Sequence, residues 1–335
     1  MNVAINGFGR IGRASFKALL EKKSIKVVAI NDLTDTETLA HLLKYDSCYG
    51  IYDKKIGHTK DAILVDGVRY PVYAVKDPTQ LPWKALKVDM VIESTGRFVK
   101  QDEAGMHLTA GAKKVVISAP AKGGDVKTIV LGVNEEQLTK ADTVFSMASC
   151  TTNCLAPVTS VIEKEFGIKK AIMTTVHSYT ADQNLVDGPH KDLRRARAAA
   201  LNIVPTSTGA AIAVAETIPS LKGNFDGGAM RVPTPTGSLC DVVYILKKNV
   251  DADIVNKAIK AATKSPKLKG VLVATDEPIV SSDIVGNPAS SIVDLSLTKV
   301  LGGDLLKIVA WYDNEWGYSC RLADVCEFVG KKKLI

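Results

Sequence analysis

The sequence lacks any long uninterrupted apolar run and any pair of cysteines in a C-x-x-C spacing. No stretch approaches the roughly 20 apolar residues of a membrane-spanning helix, so no membrane association is expected. The N-terminus starts with strand-like residues and has no basic flank or apolar core, so we expect no signal peptide. Six cysteines without paired spacing argue against a metal site and disulfides, and they predict a reducing, cytoplasmic setting.

What is present is typical of a globular protein: 335 residues, 46% hydrophobic and 24% charged. A chain of this length exceeds the roughly 250–300 residues at which single cores stop growing, so two domains are predicted. The net charge of +7 is spread along the chain, apart from a concentration at residues 194–197. The charge predicts anionic partners, and nucleic acid is not required to explain it.

A glycine-rich turn follows the first apolar run, and helical periodicity follows the turn. Gly7 suits a tight turn, Gly9 a close approach of a pyrophosphate, and Gly12 the packing of helix on strand. A second apolar run ends at Asp32, 20 residues after Gly12. An acid at this distance can bind both ribose hydroxyls of NAD and would repel the 2′-phosphate of NADP. The unit therefore predicts an NAD site in a Rossmann-type, doubly wound α/β sheet.

Helices and strands continue to alternate up to the middle of the chain. The pattern predicts helices at 39–43 and 104–112, a hairpin at 63–72, and strands at 88–92, 115–117, 129–131 and 144–145. Strand ends with small polar residues, such as Ser118, are expected beside a cofactor because ligands bind at the carboxyl ends of parallel strands.

Cys150 lies where a predicted strand gives way to a predicted helix that extends to Phe166. Backbone N–H groups and the positive end of the helix dipole stabilise a thiolate at such a position, which predicts a nucleophile with a lowered pKa. The competing interpretation is a packed, inert thiol.

The second half of the chain has a different pattern. A strand at 171–176 delivers His177, and residues 181–205 form a long polar segment without periodicity, typical of a functional or interface loop. Several later strands with few helices between them predict an α+β domain with a mainly antiparallel sheet. We predict an NAD-binding domain at 1–149 and a catalytic domain at 150–316.

A nicotinamide cofactor beside a nucleophilic cysteine predicts oxidation of an aldehyde. Thiolate addition gives a hemithioacetal, and hydride loss then leaves a thioester. A base near neutral pKa is needed, and His177 suits this role. Cationic and hydroxyl groups in the same half suit phosphate oxygens. They are Thr180, Arg195, Thr208, Gly209 and Arg231.

Five motifs occupy the segments 6–13, 148–153, 206–211, 231–235 and 311–318. In this order they resemble the motifs of phosphorylating glyceraldehyde-3-phosphate dehydrogenases. The resemblance implies that Cys150 is the nucleophile and His177 the base, and that inorganic phosphate attacks the thioester to give 1,3-bisphosphoglycerate. It also implies a homotetramer in glycolysis or gluconeogenesis, and a C-terminal helix, 317–335, that completes the first domain.

The same resemblance implies roles for single residues. Arg10 and Ile11 would contact the pyrophosphate of NAD, Ser118 would lie on the nicotinamide side, and Asn314 would hold the carboxamide. Substrate and phosphate binding would fall to two groups. One consists of Thr180 and Arg231, the other of Arg195, Thr208 and Gly209, with Ser149 and Thr151 beside the nucleophile.

Two alternatives stay open at this point. An erythrose-4-phosphate dehydrogenase would use the same cysteine and histidine but release the acid to water. A non-catalytic RNA-binding protein on the same fold would use the positive charge and need neither Cys150 nor His177.

Overall fold

The first of two compact units is built on a nine-stranded sheet. The computed structural model describes residues 1–335, and this unit comprises residues 1–129, 136–148 and 319–335. Its strands are β1 (Asn2–Asn6), β2 (Lys26–Asn31), β3 (Tyr45–Asp46), β4 (Gly50–Ile51), β5 (Ile56–Thr59), β6 (Ala62–Val65), β7 (Val68–Tyr73), β8 (Met90–Glu93), β9 (Lys114–Ile117), β10 (Lys127–Thr128) and β11 (Val144–Ser146). Its first helices are α1 (Arg10–Leu20), α2 (Thr36–Lys44) and α3 (Gln101–Thr109).

The strand order of this sheet is β10-β11-β9-β8-β1-β2-β7-β6-β5. All pairs from β10 to β7 are parallel, and β6 and β5 add an antiparallel edge. The order β7-β2-β1-β8-β9-β11 is the 3-2-1-4-5-6 arrangement of a doubly wound nucleotide-binding sheet. The predicted Rossmann-type fold is thus confirmed. The separate β3 and β4 form a two-stranded ribbon.

Nearly continuous apolar runs explain the centre of this sheet, because parallel strands are covered on both faces. Ile5, Val91 and Val116 on adjacent strands are fully buried. Each buried aliphatic side chain of this kind stabilises the fold by about 1.5–3 kcal/mol.

The second unit comprises residues 130–135 and 149–318 and contains a seven-stranded sheet. Its elements are α4 (Cys150–Phe166), β12 (Ile168–Ser178), β13 (Val204–Thr206), α5 (Ala210–Thr217), β14 (Phe225–Val232), β15 (Ser238–Leu246), α6 (Ala252–Thr263), β16 (Leu272–Thr275), β17 (Ser291–Leu301) and β18 (Leu305–Tyr312). The last helix, α7 (Trp316–Lys331), begins in this unit and continues in the first.

The strand order here is β13-β14-β12-β15-β18-β17-β16. Four of the six pairs are antiparallel, and only β12–β14 and β16–β17 are parallel. The predicted α+β domain with a mainly antiparallel sheet is confirmed. One face of the sheet packs on α4, whose residues Leu155, Val158 and Ile162 are buried in the core.

One predicted strand is wrong. Residues 129–131 are not extended, and the short strand of this region lies earlier, at β10. The chain turns here because Asn134 Oδ1 accepts a hydrogen bond from Val130 N at 2.8 Å, and Gly132 follows with a φ of +86°. Residues 130–135 consequently belong to the second unit, whereas the predicted boundary at 149/150 lies next to the division between Ala148 and Ser149.

Candidate active site

Cys150 is the first residue of α4, and Ser149 caps the helix. Ser149 Oγ accepts a hydrogen bond from Thr152 N at 3.1 Å, which satisfies one of the free N–H groups of the first turn. Ala148, just before the cap, has a φ of +54°, a conformation that is unusual for a residue with a Cβ. The backbone is therefore sharply turned where it presents the thiol.

The Cys150 thiol faces His177, with 3.4 Å between Sγ and Nε2. Burial raises the pKa of Cys150 to about 11, while the positive charge of Arg231 and hydrogen bonds from Thr151 oppose the rise. The predicted lowering of this pKa is thus wrong for the free site, because the cost of burying a thiolate exceeds the opposing contributions of Arg231 and Thr151. At neutral pH the thiol is protonated.

His177 lies near the carboxyl end of β12 and is only 4% exposed. Its Nδ1 is 2.7 Å from the carbonyl oxygen of Ser178, which can only accept, and 3.2 Å from Arg231 Nη1, which can only donate. The carbonyl contact is the shorter of the two, so we assign the ring proton to Nδ1. Nε2 is then an acceptor directed at the thiol. Burial and the charge of Arg231 lower the pKa of His177 to about 3, well below the near-neutral value predicted for the base. In the free site the ring is therefore neutral, and Nε2 has a lone pair that can accept a proton.

Strand register brings Arg231 beside His177. Residues 177 and 231 are partners in the parallel pair of β12 and β14. Arg231 Nη1 donates to Thr180 Oγ1 at 2.8 Å and to the Ser178 carbonyl at 3.2 Å. A cation therefore lies at the edge of the Cys150–His177 pair.

Asp182 connects the remaining predicted phosphate ligands. Thr180 Oγ1 donates to its carboxylate, and Arg195 forms an ion pair with it. Arg195 also pairs with Asp192 at 3.3 Å and reaches the Ser207 carbonyl at 3.5 Å. Thr180, Arg195 and Arg231 thus belong to one hydrogen-bonded cluster, which connects the two predicted groups.

Thr208 and Gly209 lie at the start of α5. They are near that cluster because the preceding residue, Ser207, accepts the hydrogen bond from Arg195. Gly209 is the N-cap of α5 and provides no side-chain cap. Thr208 Oγ1 accepts from Ala210 N at 3.2 Å. The first turn of α5 consequently keeps backbone N–H groups that suit an anion.

The hydroxyl of Thr151 is committed to the core. It lies 2.9 Å from Tyr312 OH, which is also 2.9 Å from Thr175 Oγ1. The Tyr312 ring packs edge-on against His177, with 5.9 Å between ring centres. Besides its hydrogen bonds to Cys150, Thr151 therefore connects the start of α4 to the ring that packs against His177.

Two hydrogen bonds to its side-chain oxygen hold Asn314 in place. Oδ1 accepts from Gly237 N at 3.1 Å and from Ser238 Oγ at 2.8 Å. The side chain is almost fully buried, and its Nδ2 makes no hydrogen bond within the chain. Ser238 Oγ accepts from Ser178 N at 3.1 Å, so one hydroxyl connects Asn314 to the strand end that carries His177.

The first unit contains a cavity of about 280 Å³ at the carboxyl ends of β1, β2 and β8. Gly7 has a φ of +92°, and a Cβ at Gly12 would lie 2.0 Å from the Gly7 oxygen. No atom lies within 4 Å of a Cβ placed on Gly9, and α1 has no side-chain cap. This glycine cradle, residues 7–12, leaves room for a pyrophosphate to approach the backbone N–H groups at the start of α1.

Asp32 lines this cavity beside Leu33. Its carboxylate accepts from Phe8 N at 2.7 Å and from Thr34 N at 3.0 Å, so the side chain is fixed at the end of β2. Two further predicted residues, Arg10 and Ile11, begin α1, and Arg10 Nη1 donates to Asp46 at 2.8 Å. Ser118 follows β9, with its N–H bonded to the Glu93 carbonyl.

The sequence matches two domain models, described as the C-terminal domain and the NAD-binding domain of glyceraldehyde 3-phosphate dehydrogenase, at residues 149–314 and 1–101. It is 56% identical over 334 residues to glyceraldehyde-3-phosphate dehydrogenase of Streptomyces coelicolor, with 99% of each chain covered. The chain belongs to the glyceraldehyde-3-phosphate dehydrogenase family. The enzyme of Geobacillus stearothermophilus is 53% identical over 335 residues, and that of Mycobacterium avium 55% over 339, again over at least 99% of each chain.

As a member of this family, the chain is an NAD-dependent oxidoreductase. The cavity fits that cofactor, because an open glycine cradle for the pyrophosphate and a fixed carboxylate for the ribose stand at the same sheet edge. No group of three or more His, Cys, Asp or Glu side chains is arranged to hold a metal ion. No helix has the length and apolar character needed to cross a membrane.

Sequence reasoning missed three residues of the site. Asp182 carried a signal, since an acid two residues after a predicted phosphate ligand can pair with the nearby arginines. Tyr312 lies inside the motif at 311–318, but the motif predicts no role for its side chain. No local signal marks Ser238, because its hydrogen bonds connect strands that are distant in the sequence.

Proposed function

We propose that this chain oxidises D-glyceraldehyde 3-phosphate to 1,3-bisphosphoglycerate with NAD and inorganic phosphate, in glycolysis or gluconeogenesis. The observation that carries the proposal is the contact between Cys150 Sγ and His177 Nε2, because it pairs a nucleophile with a neutral base. The relatives named above carry the name of this activity.

The first step is thiol addition to the aldehyde. The Cys150 proton moves to His177 Nε2 as sulfur bonds to the carbonyl carbon, and the proton then passes to the carbonyl oxygen to give a hemithioacetal. Proton transfer between the two side chains creates opposite charges 3.4 Å apart, and their attraction offsets part of the cost of burying each charge.

In the second step His177 accepts the hydroxyl proton of the hemithioacetal while the hydride leaves. NAD, when bound, supplies the hydride acceptor. The product is a thioester on Cys150. Inorganic phosphate then attacks the thioester carbonyl, the C–S bond breaks, and the proton held by His177 returns to sulfur.

Thr180 and Arg231 would hold the phosphate of the substrate, and Arg195, Thr208 and Gly209 the inorganic phosphate. Ser149 and Thr151 flank Cys150 at the start of α4 and would border the bound substrate. On the cofactor side, Gly7, Gly9, Arg10, Ile11 and Gly12 would surround the pyrophosphate. Asp32, Ser118 and Asn314 would contact the ribose, the nicotinamide side and the carboxamide.

We further propose a homotetramer in the cytoplasm. Large apolar side chains are exposed in the predicted interface loop at 181–205, among them Leu185, Leu193 and Leu201 at 75%, 81% and 83%. Exposed apolar patches of this kind support an interface. Light scattering should give four times the chain mass of 35.8 kDa, and Leu201→Asp should lower it. All six cysteines are free thiols, which suits a reducing compartment.

The decisive experiment follows NADH formation from glyceraldehyde 3-phosphate with inorganic phosphate present or omitted. Phosphorolysis predicts turnover that stops after one equivalent without phosphate. Equal steady-state rates in both conditions would instead indicate hydrolysis, as in an erythrose-4-phosphate dehydrogenase. Repeating the assay with NADP tests the role of Asp32, because comparable catalytic efficiency with both cofactors would contradict a preference for NAD.

A further inference from the structure

Below the NAD cavity lies a buried acid that the reaction does not use. Glu93 ends β8 and is 1% exposed, and its carboxylate accepts four hydrogen bonds. Oε1 accepts from the N–H and the hydroxyl of Thr95, at 2.8 and 2.5 Å. Oε2 accepts from Asn6 Nδ2 at 2.5 Å and from His107 Nε2 at 3.1 Å.

The orientation of His107 follows from its second partner. Trp83 Nε1 can only donate, and it lies 2.9 Å from His107 Nδ1, so Nδ1 must accept. The ring proton is therefore on Nε2 and points at Glu93. All four groups around the Glu93 oxygens can donate a hydrogen bond, which is the arrangement that suits a carboxylate. Trp83 and His107 are both fully buried.

The other ends of these hydrogen bonds form the cavity lining. Asn6 and Thr95 both border the cavity, and Asn6 Oδ1 accepts from Asn31 Nδ2 at 2.7 Å. Asn31 in turn exchanges hydrogen bonds with the backbone of Val75, at 2.9 Å in each direction. Asn31 and Val75 also border the cavity. One buried carboxylate thus fixes residues at the ends of three neighbouring strands.

We propose that Glu93, oriented by His107, is a positioning residue for NAD binding: its carboxylate sets the places of Asn6 and Thr95 in the cofactor cavity. The inference rests on NAD as the cofactor and is independent of the proposed substrate. Neither residue touches the reacting atoms, so the expected effect is on cofactor affinity.

The test measures the NAD dissociation constant of purified variants by titration, together with their melting temperatures. Glu93→Gln replaces one acceptor with an NH₂ group that faces donors on either side, and it should weaken NAD binding about tenfold. His107→Leu should weaken it by a similar factor. His107→Gln, whose amide can donate to Glu93, should stay within about threefold of wild type. In every variant kcat at saturating NAD should change by less than about threefold.

Lys114→Met is the matched control. Lys114 is equally buried, donates to the carbonyls of Thr139, Lys140 and Asp142, and lies at the amino end of the neighbouring strand β9, away from the cavity. It should lower the melting temperature and leave NAD affinity unchanged.

Three outcomes would overturn the proposal. They are an unchanged NAD dissociation constant in Glu93→Gln and His107→Leu, an equal weakening in Lys114→Met, or a loss in His107→Gln as large as in His107→Leu. If Glu93→Gln does not fold, the two His107 variants and the control decide. A wild-type chain that binds NAD but does not oxidise glyceraldehyde 3-phosphate would refute the proposed function only.

Discussion

Cys150 Sγ lies 3.4 Å from His177 Nε2, although 27 residues separate them in the chain. The contact forms because α4 starts at Cys150 and packs on the sheet, and β12, which follows it, runs back and carries His177 next to its last residue. A helix followed by a strand thus brings the chain back to the place where the helix began, which is the position of Cys150. The pair is neutral at rest, since burial raises the thiol pKa and lowers that of the imidazole.

Replacement of Cys150 by Ser should abolish covalent catalysis. A hydroxyl is a much weaker nucleophile than a thiol beside the same base, so kcat should fall by roughly a thousandfold or more. Cys154→Ala is the matched control, because Cys154 is buried and its Sγ contacts Ser291 and the Ala310 carbonyl instead of His177. NADH formation is the readout. Substantial activity of Cys150→Ser would exclude the proposed thioester.

The pH dependence of stability should report the buried imidazole. The pKa of His177 is about 3 when folded, against an ordinary value of 6.5, so the unfolded chain binds the extra proton between these values. Stability should therefore be lost as pH falls from 6.5 towards 3, with a contribution of up to about 1.4 kcal/mol per pH unit. Urea unfolding of wild type and His177→Gln at pH 4 to 7 should give the shallower slope for the variant. Identical slopes would contradict a depressed pKa.

Arg231→Gln should raise the pKa of His177. The arginine charge is the main electrostatic cause of the lowered value after burial, and Arg195 contributes less. NMR titration of the imidazole should place the His177 pKa of Arg231→Gln above those of wild type and Arg195→Gln. In steady-state kinetics Arg231→Gln should also raise the KM for the aldehyde. An unshifted titration would mean that the charge of Arg231 is screened from the ring.

Ser238→Ala should disturb both ends of one hydrogen-bonded connection. Removal of the hydroxyl leaves Ser178 N without its partner and takes one donor from Asn314 Oδ1. Loss of a buried partner costs about 1–3 kcal/mol, and we expect kcat/KM for NAD to fall about tenfold. Ser290→Ala is the control, because the Ser290 hydroxyl is buried without a hydrogen-bond partner. Equal kinetics of the two variants would refute a positioning role for Ser238.

Local signals in the sequence were sufficient for most elements. The glycine turn before α1 and the helix that begins at Cys150 and ends at Phe166 depend on signals within a few residues, and the structure has both where the pattern predicted them. The strand predicted at 129–131 failed because the apolar side chains there are buried in a turn. A short apolar run is compatible with either structure, and only the contact of Val130 with Asn134 decides between them.

The sequence by itself determined the doubly wound first sheet and the NAD fingerprint, and it predicted Cys150 as the nucleophile and His177 as the base. Tertiary structure alone decided how these groups are charged and joined, because pKa values and hydrogen bonds depend on burial and on neighbours from distant strands. Register placed Arg231 beside His177, and Asp182 joined Thr180 to Arg195. The buried pair of Glu93 and His107 was likewise set by strand and helix packing, which no local pattern encodes.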